Sequence, residues 1–219
     1  MCDGATADST TEQADHQDTA LKLVDENGLT DFSMRKLATV LGVQAPSLYS
    51  HYANKDELLD DVANVIMESV DVSGFDSDDW RGALRTWARS YHAALGKHPN
   101  IVPYLAYGPS VRPIALDRAN AIHGGLVRAG WPQRTATLIG ASVKYVVMGA
   151  ATATFSGGFV DDPAIYAERY PHLTRAHLLR ERATEIDGAS FELALESLLD
   201  GLEAKYALLQ RTTEQPPRN

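Results

Sequence analysis

The sequence predicts an all-α protein in which a small N-terminal unit of short helices precedes a larger helical domain. Apolar residues recur at helical spacing through most of the 219-residue chain, and no stretch shows the strict alternation that marks a half-buried strand. Glycine and proline fall between these periodic stretches, where helices end and turns begin. With 44% hydrophobic residues, the chain can bury the core of one large domain or two small ones.

Composition excludes several classes of protein. Cys2 is the single cysteine, so the chain forms neither an internal disulfide nor a cysteine-based zinc cluster. The first residues lack the basic and apolar stretches of a signal peptide. The sequence also lacks the G-x-S-x-G, H-E-x-x-H, Walker and Rossmann glycine patterns. We therefore expect a cytoplasmic protein that is not an enzyme and has no catalytic residue, metal or cofactor.

The N-terminal stretch predicts a tail followed by one helix. Residues 1–17 are polar and acidic and show no helical periodicity, which predicts a disordered tail. A first helix is predicted from about Asp18 to Asn27. Gly28 is its predicted C-terminal stop, since glycine tolerates the left-handed conformation that ends many helices.

Two short helices are predicted next, close together in the chain. Ser33 is a typical N-cap for a helix over Met34–Leu41, and Gly42 ends that helix. A further helix begins near Ala45, with Pro46 in the first turn, where a backbone N–H is not needed. Two short helices joined by a glycine-containing turn are typical of a helix-turn-helix, whose second helix lies in a major groove of DNA.

The rest of the chain predicts longer helices. Asn54–Glu57 has the form of a capping box for a fourth helix. The later helices are predicted over 80–95, 112–129, 132–155 and 189–209, with a polar connection over 161–186. The run 138–155 has one charge, Lys144, but its many small residues favour a helix buried on most sides rather than a membrane span. The predicted organisation is a helix-turn-helix domain over 18–62, a larger domain over 63–210 and a flexible end over 211–219.

The charge of the chain is distributed unevenly. A net charge of −9 argues against a nucleic-acid partner. Within the acidic N-terminal third, however, residues 32–55 contain three basic residues and no Asp or Glu. Such a window suits a surface that meets a polyanion, although a chance gap between acids explains it equally well.

Residues 32–58, FSMRKLATVLGVQAPSLYSHYANKDEL, resemble the tetracycline-repressor (TetR) family of transcriptional regulators. The LY-x-HY-x-NK-x-x-LL string is much rarer than a general helix-turn-helix pattern. Beyond residue 80 the resemblance rests on the all-helical pattern and on the final FELALESLLDGLEA segment. The resemblance implies a homodimeric repressor that binds a palindromic operator in double-stranded DNA and is released by a small-molecule effector.

The resemblance also implies a set of DNA contacts. Arg35 would reach a base edge or a phosphate, Lys55 would hold a phosphate, and the first residues of the second helix would offer backbone N–H groups. The full set is Ser33, Met34, Arg35, Gln44, Ala45, Ser47, Tyr49, His51 and Lys55. Alternatives remain: Ser33 as a helix cap alone, Tyr49 and His51 as packing residues, and Arg35 and Lys55 as solvated surface charges.

This chain departs from the family pattern at its N-terminus. Residues 1–18 hold five acids and no bases, where family members often carry bases. His16 and Gln17 stand where an apolar anchor is more usual, and Ser50 stands where Arg or a bulky residue is common. We therefore expect few phosphate contacts per subunit, so that useful affinity requires two subunits bound together.

The larger domain is expected to hold an effector and a partner subunit. Aromatic and polar residues there have the composition of a small-molecule site: Trp87, Tyr91, Tyr104, Tyr107, Asn120, His123, Tyr145 and Met148. Two long helices are expected to form a dimer bundle through Leu138, Val143, Phe191, Leu195, Leu198 and Leu202. Either set also suits the core of a monomer. Other hypotheses are a helical ligand-binding dimer with weak or no DNA binding, and a cofactor-free enzyme.

Overall fold

The computed structural model describes residues 4–77, 79–107 and 112–214, with side chains over 12–77, 79–106 and 112–212. Every regular element in this part of the chain is helical, which confirms the predicted all-α class. Short 3₁₀ turns connect some of the helices. The α-helices are α1 (Gly4–Asp31), α2 (Met34–Leu41), α3 (Ala45–Tyr49), α4 (Lys55–Glu68), α5 (Trp80–Lys97), α6 (Val102–Tyr107), α7 (Pro113–Arg128), α8 (Gln133–Thr152), α9 (Pro163–Ala167) and α10 (Ala183–Glu214).

Helix α1 begins earlier than its sequence indicates. It starts at Gly4, so the predicted disordered tail over residues 1–17 is wrong for the residues that the structure describes. Tertiary contacts stabilise the last part of this extension: His16 is buried against His51 and Tyr52, and Gln13 donates a hydrogen bond to the Asp61 carboxylate of α4 at 2.9 Å. A polar sequence can form a helix when tertiary contacts stabilise it, and composition alone does not show those contacts.

The predicted caps of the next helices are confirmed. The Ser33 hydroxyl accepts a hydrogen bond from the Lys36 N–H at 3.3 Å, and the Asn54 side chain accepts one from the Glu57 N–H at 2.9 Å. Gly42 ends α2 with a φ of +70°, which a side chain would strain. Gly28 adopts a φ of +77° and interrupts the helical backbone near the end of α1.

The chain forms two compact units. One contains the chain up to Val70 together with Ala93–Arg118, and the other contains Asp71–His92 together with the chain from Ala119 onward. This division differs from the predicted boundary between residues 62 and 63, which lies inside α4. The whole of α4 belongs with α1–α3, because its buried face packs on α1.

The second unit is built on α8 and α10, which pack against each other. Helix α8 buries the stripe Ala136, Ile139, Val143 and Val147, while much of its remaining surface is apolar and uncovered. The prediction that this helix is buried on most sides is therefore wrong for the single chain. Helix α10 continues to Glu214, so the flexible end predicted from residue 211 is wrong for residues 211–214.

One stretch among the described residues is long and apolar enough to cross a membrane. It covers Gln133–Gly158, with a mean hydropathy of 1.4, and 22% of it is buried within the chain. Length and composition alone select this stretch, and the buried core helix of a non-membrane protein passes the same test.

Candidate functional site

The first candidate site is the outer surface of α2 and α3, which we call the α2–α3 face. Buried Leu37, Ala38 and Leu48 hold the two helices together, and the Val43 N–H donates to the Ala38 carbonyl at 3.0 Å across the turn. These contacts leave the opposite sides of both helices exposed. The exposed members of the predicted DNA-binding set on this face are Arg35, Gln44, Ser47 and Tyr49, with Ala45 half-buried beside them.

The α2–α3 face carries positive charge without neutralising partners. Arg35 and Lys36 are exposed, and neither side chain forms an ion pair with any described residue. No Asp or Glu occurs between residues 32 and 55. Tyr49 is 53% exposed and its hydroxyl has no hydrogen bond to the described chain. A large aromatic group with an unused hydroxyl suits contact with a phosphate or a base edge.

Two predicted DNA contacts at the start of α2 have structural roles. Met34 is buried, with 5% of its side chain exposed, so only its backbone is available to a ligand. The Ser33 hydroxyl is engaged as the N-cap of α2. The prediction for Met34 concerns its backbone N–H, which the burial of the side chain does not contradict, so this contact stays a prediction.

The Lys55 ammonium is also engaged inside the protein. It donates hydrogen bonds to the carbonyl oxygens of Leu29 and Phe32, both at 2.9 Å, and lies 5.3 Å from the centre of the Phe32 ring. These carbonyls follow the kink of α1, where helical backbone partners are missing. Lys55 thus joins the start of α4 to the end of α1, and its predicted phosphate contact competes with two hydrogen bonds.

His51 lies just beyond α3, against α1. Its Nε2 is 3.8 Å from a carboxylate oxygen of Glu12, and its ring meets the His16 ring edge-on with centroids 5.3 Å apart. Burial lowers the pKa of His16, and the neighbouring His51 lowers it further. The position of His51, a predicted DNA contact, thus depends on its neighbours in α1.

Helix α4 is held along its length by side chains from the 93–118 part of the same unit. The Tyr104 hydroxyl donates to an Asp60 carboxylate oxygen at 2.9 Å, and Arg112 donates to the same oxygen at 2.7 Å. Near the end of α4, Arg118 donates to the Glu68 carbonyl at 2.9 Å. Burial and the bond to Asp60 raise the pKa of Tyr104 above its ordinary value. Movement of α4 therefore requires these contacts to move or break.

The predicted effector residues fall into separate groups. Trp87 and Tyr91 of the second unit are buried, with stacked rings 6.5 Å apart, and Phe75 meets Trp87 edge-on. His123 is half-buried and shares a 3.1 Å hydrogen bond with the Gln133 carbonyl, and Met148 is also half-buried.

Three other members of the set are not buried in the second unit: Tyr104, Asn120 and Tyr145. Tyr104 belongs to the first unit, where its hydroxyl is bound to α4. Asn120 is exposed, and Tyr145 is 74% exposed on α8. The prediction that Tyr145 lines an enclosed pocket is wrong for the single chain. The side chain of Tyr107 lies outside the described residues.

The predicted dimer residues divide between the core and the surface. Val143, Phe191, Leu195 and Leu202 are buried within one chain, so their prediction as dimer-interface residues is wrong. Leu198 is half-buried, and its place in the interface stays a prediction. The spacing of these residues identifies an apolar face, and that face covers the chain's own core. Leu138 is 50% exposed and remains available to a partner.

An uncovered apolar surface lies on the opposite side of these helices, which we call the outer bundle face. On α8 it contains Leu138 and Tyr145, which are two helical turns apart. On α10 it contains Leu193 and Leu208, which are 72% and 60% exposed. Small exposed residues lie between these two leucines at steps of four and three: Ser197, Gly201 and Ala204. The sequence pattern assigns Leu138 to the interface but misses the α10 part of this surface, because small residues carry little weight in a hydrophobic pattern.

Comparison with known proteins places most of the chain beside one group of regulators. The family model described as "Bacterial regulatory proteins, tetR family" matches residues 18–62, and "Tetracyclin repressor-like, C-terminal domain" matches residues 75–206. The class A tetracycline repressor from transposon 1721 of Escherichia coli is 31% identical over 211 residues, which cover 90% of this chain and 92% of that protein. An HTH-type transcriptional regulator of Saccharopolyspora erythraea is 30% identical over 134 residues, 61% of this chain and 57% of that protein.

Solved structures show the same likeness. A possible TetR family transcriptional regulator from Streptomyces coelicolor A3(2) is 31% identical, with a TM-score of 0.70 over 88% of this chain and 98% of that one. The TetR family protein ActR of Streptomyces coelicolor, solved in complex with actinorhodin, is 26% identical, with a TM-score of 0.69 over 88% of this chain and 97% of that one.

Proposed function

Because this chain belongs to the TetR family of transcriptional regulators, we propose that its α2–α3 face binds operator DNA and that an effector site in its second unit controls that binding. The observation that carries the proposal is the exposed, acid-free surface formed by Arg35, Lys36, Gln44, Ser47 and Tyr49. The chain as a whole has a net charge of −9, which repels the backbone of DNA, so this basic face determines the orientation of binding.

Operator binding is proposed to require two copies of the chain. A five-residue recognition helix such as α3 reads only a few base pairs, so selectivity depends on a second copy about one helical turn away. The outer bundle face supports this assembly, since Tyr145 and Leu193 are each more than 70% exposed in the single chain. Two copies related by a two-fold axis bring this face against itself and form a four-helix bundle.

The effector is proposed to be a small molecule with aromatic or other apolar surface. The buried, stacked Trp87 and Tyr91 and the half-buried Met148 offer apolar contacts, and His123 offers a ring nitrogen. The names of two relatives are consistent with this class: the tetracycline repressor, and ActR in complex with actinorhodin.

Release from DNA is proposed to depend on α4. An effector shifts the protein between two states only by binding one of them more tightly. Tyr104 and Arg112 hold α4 through Asp60, so a state in which these bonds are broken frees α4 together with α1–α3. The effector is therefore expected to favour that state, in which two recognition helices no longer fit two half-sites at once.

We also assign the chain to the cytoplasm and to non-enzymatic proteins, in keeping with a family of DNA-binding regulators. Chemical conversion of a bound effector, in place of simple saturable binding, would contradict the assignment to non-enzymatic proteins. Such conversion is measurable by chromatography of the recovered ligand.

The experiment that tests the proposal is fluorescence anisotropy with labelled duplex DNA from upstream of the protein's own gene. The expected result is saturable binding that weakens steeply as salt rises, because phosphate contacts release counterions. Arg35→Ala combined with Tyr49→Ala is expected to abolish specific binding in a folded dimer. Leu116→Ala, at an exposed position on α7, is the matched control and is expected to bind as the native chain does. Equal binding by the double variant and the native chain contradicts the proposal.

A further inference from the structure

His16 is a buried histidine at the contact between α1 and the turn that follows α3. Only 3% of its side chain is exposed. Its ring meets His51 edge-on at 5.3 Å and lies 6.2 Å from the Tyr52 ring. His51 and Tyr52 directly follow Tyr49 and Ser50, so His16 supports the backbone that carries the end of the α2–α3 face.

The surroundings of His16 favour its neutral form. Its Nδ1 is buried and has no hydrogen-bond partner among the described residues, so no described carboxylate holds a proton there. Glu12, whose charge favours protonation, lies against the His51 ring at 3.8 Å. The titratable groups around this contact are Glu12 and Asp15 on α1, His51 and Tyr52 after α3, and Glu57 and Asp61 on α4.

Charging this ring has a structural consequence. Protonated His16 places a cation where water is excluded, and a second charge on His51 would repel it at 5.3 Å. The unfavourable energy of the charged ring falls when the two rings move apart or when water reaches the buried His16 ring. Either change moves Tyr49 and His51 relative to α2.

We propose that His16 is a positioning residue that holds the α3–α4 turn in its DNA-binding geometry while its ring is neutral, so that mild acid weakens operator binding through this ring. The inference rests on the proposed function of the α2–α3 face. It deepens that function by adding a control by pH that is separate from the effector.

The direction of the pH dependence follows from burial. The pKa of His16 is lowered from its ordinary value of 6.5, so the folded protein favours the neutral ring. The neutral His16 ring makes its full contribution to the stability of the fold above about pH 6.5. That contribution is lost progressively as the pH falls from 6.5 towards the lowered pKa of His16. Glu12 and Asp15 act in the opposite sense, and burial outweighs them.

The test compares the native chain with His16→Phe, which keeps a planar ring but cannot be protonated. Binding to duplex DNA from upstream of the protein's own gene is measured by anisotropy at pH 7.5 and pH 5.5, at constant ionic strength. We expect the dissociation constant of the native chain to rise about five- to tenfold in acid, as for one protonation coupled to one equilibrium. The dissociation constant of His16→Phe is expected to change less than about twofold between the two pH values, because this variant lacks the titrating ring.

Two further variants complete the design. His172→Phe, at an exposed histidine in the connection before α10, is the matched control and is expected to keep the full loss of affinity in acid. His16→Leu serves as a second untitratable variant. The same loss of affinity in acid for the native chain, His16→Phe and His16→Leu overturns the proposal.

A measurement without DNA separates this inference from the proposed function. Hydrogen–deuterium exchange of residues 48–53 is expressed as protection factors at both pH values. Protection is expected to fall in acid for the native chain and to remain for His16→Phe. If the native chain binds no DNA at pH 7.5, the proposed function fails, while the exchange data still decide the role of His16. Unchanged protection in the native chain at pH 5.5 overturns that role.

Discussion

Helix α3 and helix α10 both show a clear sequence pattern, but the pattern has a different meaning in each. Around α3, the caps and the turn glycine are local signals, and Gln44, Ser47 and Tyr49 of the predicted DNA-binding set are exposed. In α10, the predicted interface residues Phe191, Leu195 and Leu202 are buried in the chain's own core. Periodicity therefore locates an apolar face, but it does not show whether the same chain or a second copy covers that face.

The outer bundle face gives the largest expected effect. Leu193→Glu places a charge in the proposed dimer contact and is expected to produce monomers. Operator affinity is expected to fall on the order of a hundredfold, because a single recognition unit reads too few base pairs. Analytical ultracentrifugation and anisotropy measure the two effects.

The same comparison has a built-in control. Leu116→Glu introduces the same charge at a leucine of the first unit that is 53% exposed, and is expected to remain dimeric. A dimeric Leu193→Glu protein with native affinity would show that the outer bundle face is not the interface.

The inner face of α10 is expected to behave in the opposite way. Leu195 is fully buried, and Leu195→Ala is expected to lower the free energy of unfolding by about 2–5 kcal/mol through lost burial and a residual cavity. Leu193→Ala, on the outer face, is expected to weaken association instead. Chemical denaturation followed over a range of protein concentrations distinguishes the two, since only a change in association depends on concentration.

Arg35 is expected to contribute directly to DNA binding. Arg35→Ala removes an exposed cation without an internal partner and is expected to cost about 1–3 kcal/mol of operator binding if Arg35 contacts a base. A uniform loss across DNA sequences, with the salt slope reduced by about one, indicates a phosphate contact instead. Native affinity in Arg35→Ala would remove Arg35 from the DNA-binding set.

Lys55 provides the contrast to Arg35. Lys55→Met removes two hydrogen bonds to the Leu29 and Phe32 carbonyls and is expected to cost about 1–3 kcal/mol of stability. The salt dependence of DNA binding is expected to stay close to native. A reduced salt slope at native stability would show that Lys55 binds phosphate, as the family resemblance implies.

The smallest expected effect concerns the hydrogen bond that Tyr104 donates to Asp60 of α4. Tyr104→Phe keeps the ring and removes one hydrogen bond to Asp60, so it is expected to lower stability by about 1 kcal/mol. Tyr49→Phe is the matched control, because Tyr49 is 53% exposed and its hydroxyl has no hydrogen bond to the described residues, and it is expected to leave thermal unfolding without DNA unchanged. An equal effect of the two substitutions would show that the Tyr104 hydroxyl does not hold α4.

Sequence predicts local features of this protein well and tertiary ones poorly. Ser33, Gly42 and Asn54 act within a few residues of their own positions, so their roles follow from the chain itself. The burial of His16 and the engagement of Lys55 depend on residues far away in sequence, and no local pattern shows them. Tyr104 is an aromatic residue with a polar tip, as is typical of small-molecule pockets, but its hydroxyl binds α4.

The most direct test of the account is a hydroxyl-radical footprint of the native chain on duplex DNA from upstream of its own gene. The account predicts two protected patches of equal size on one face of the duplex, with centres about 34–36 Å apart or a multiple of that spacing. Both patches are predicted to disappear together in Arg35→Ala combined with Tyr49→Ala. A single protected patch, or two patches that persist in that folded variant, would contradict the claim that two α2–α3 faces read the operator.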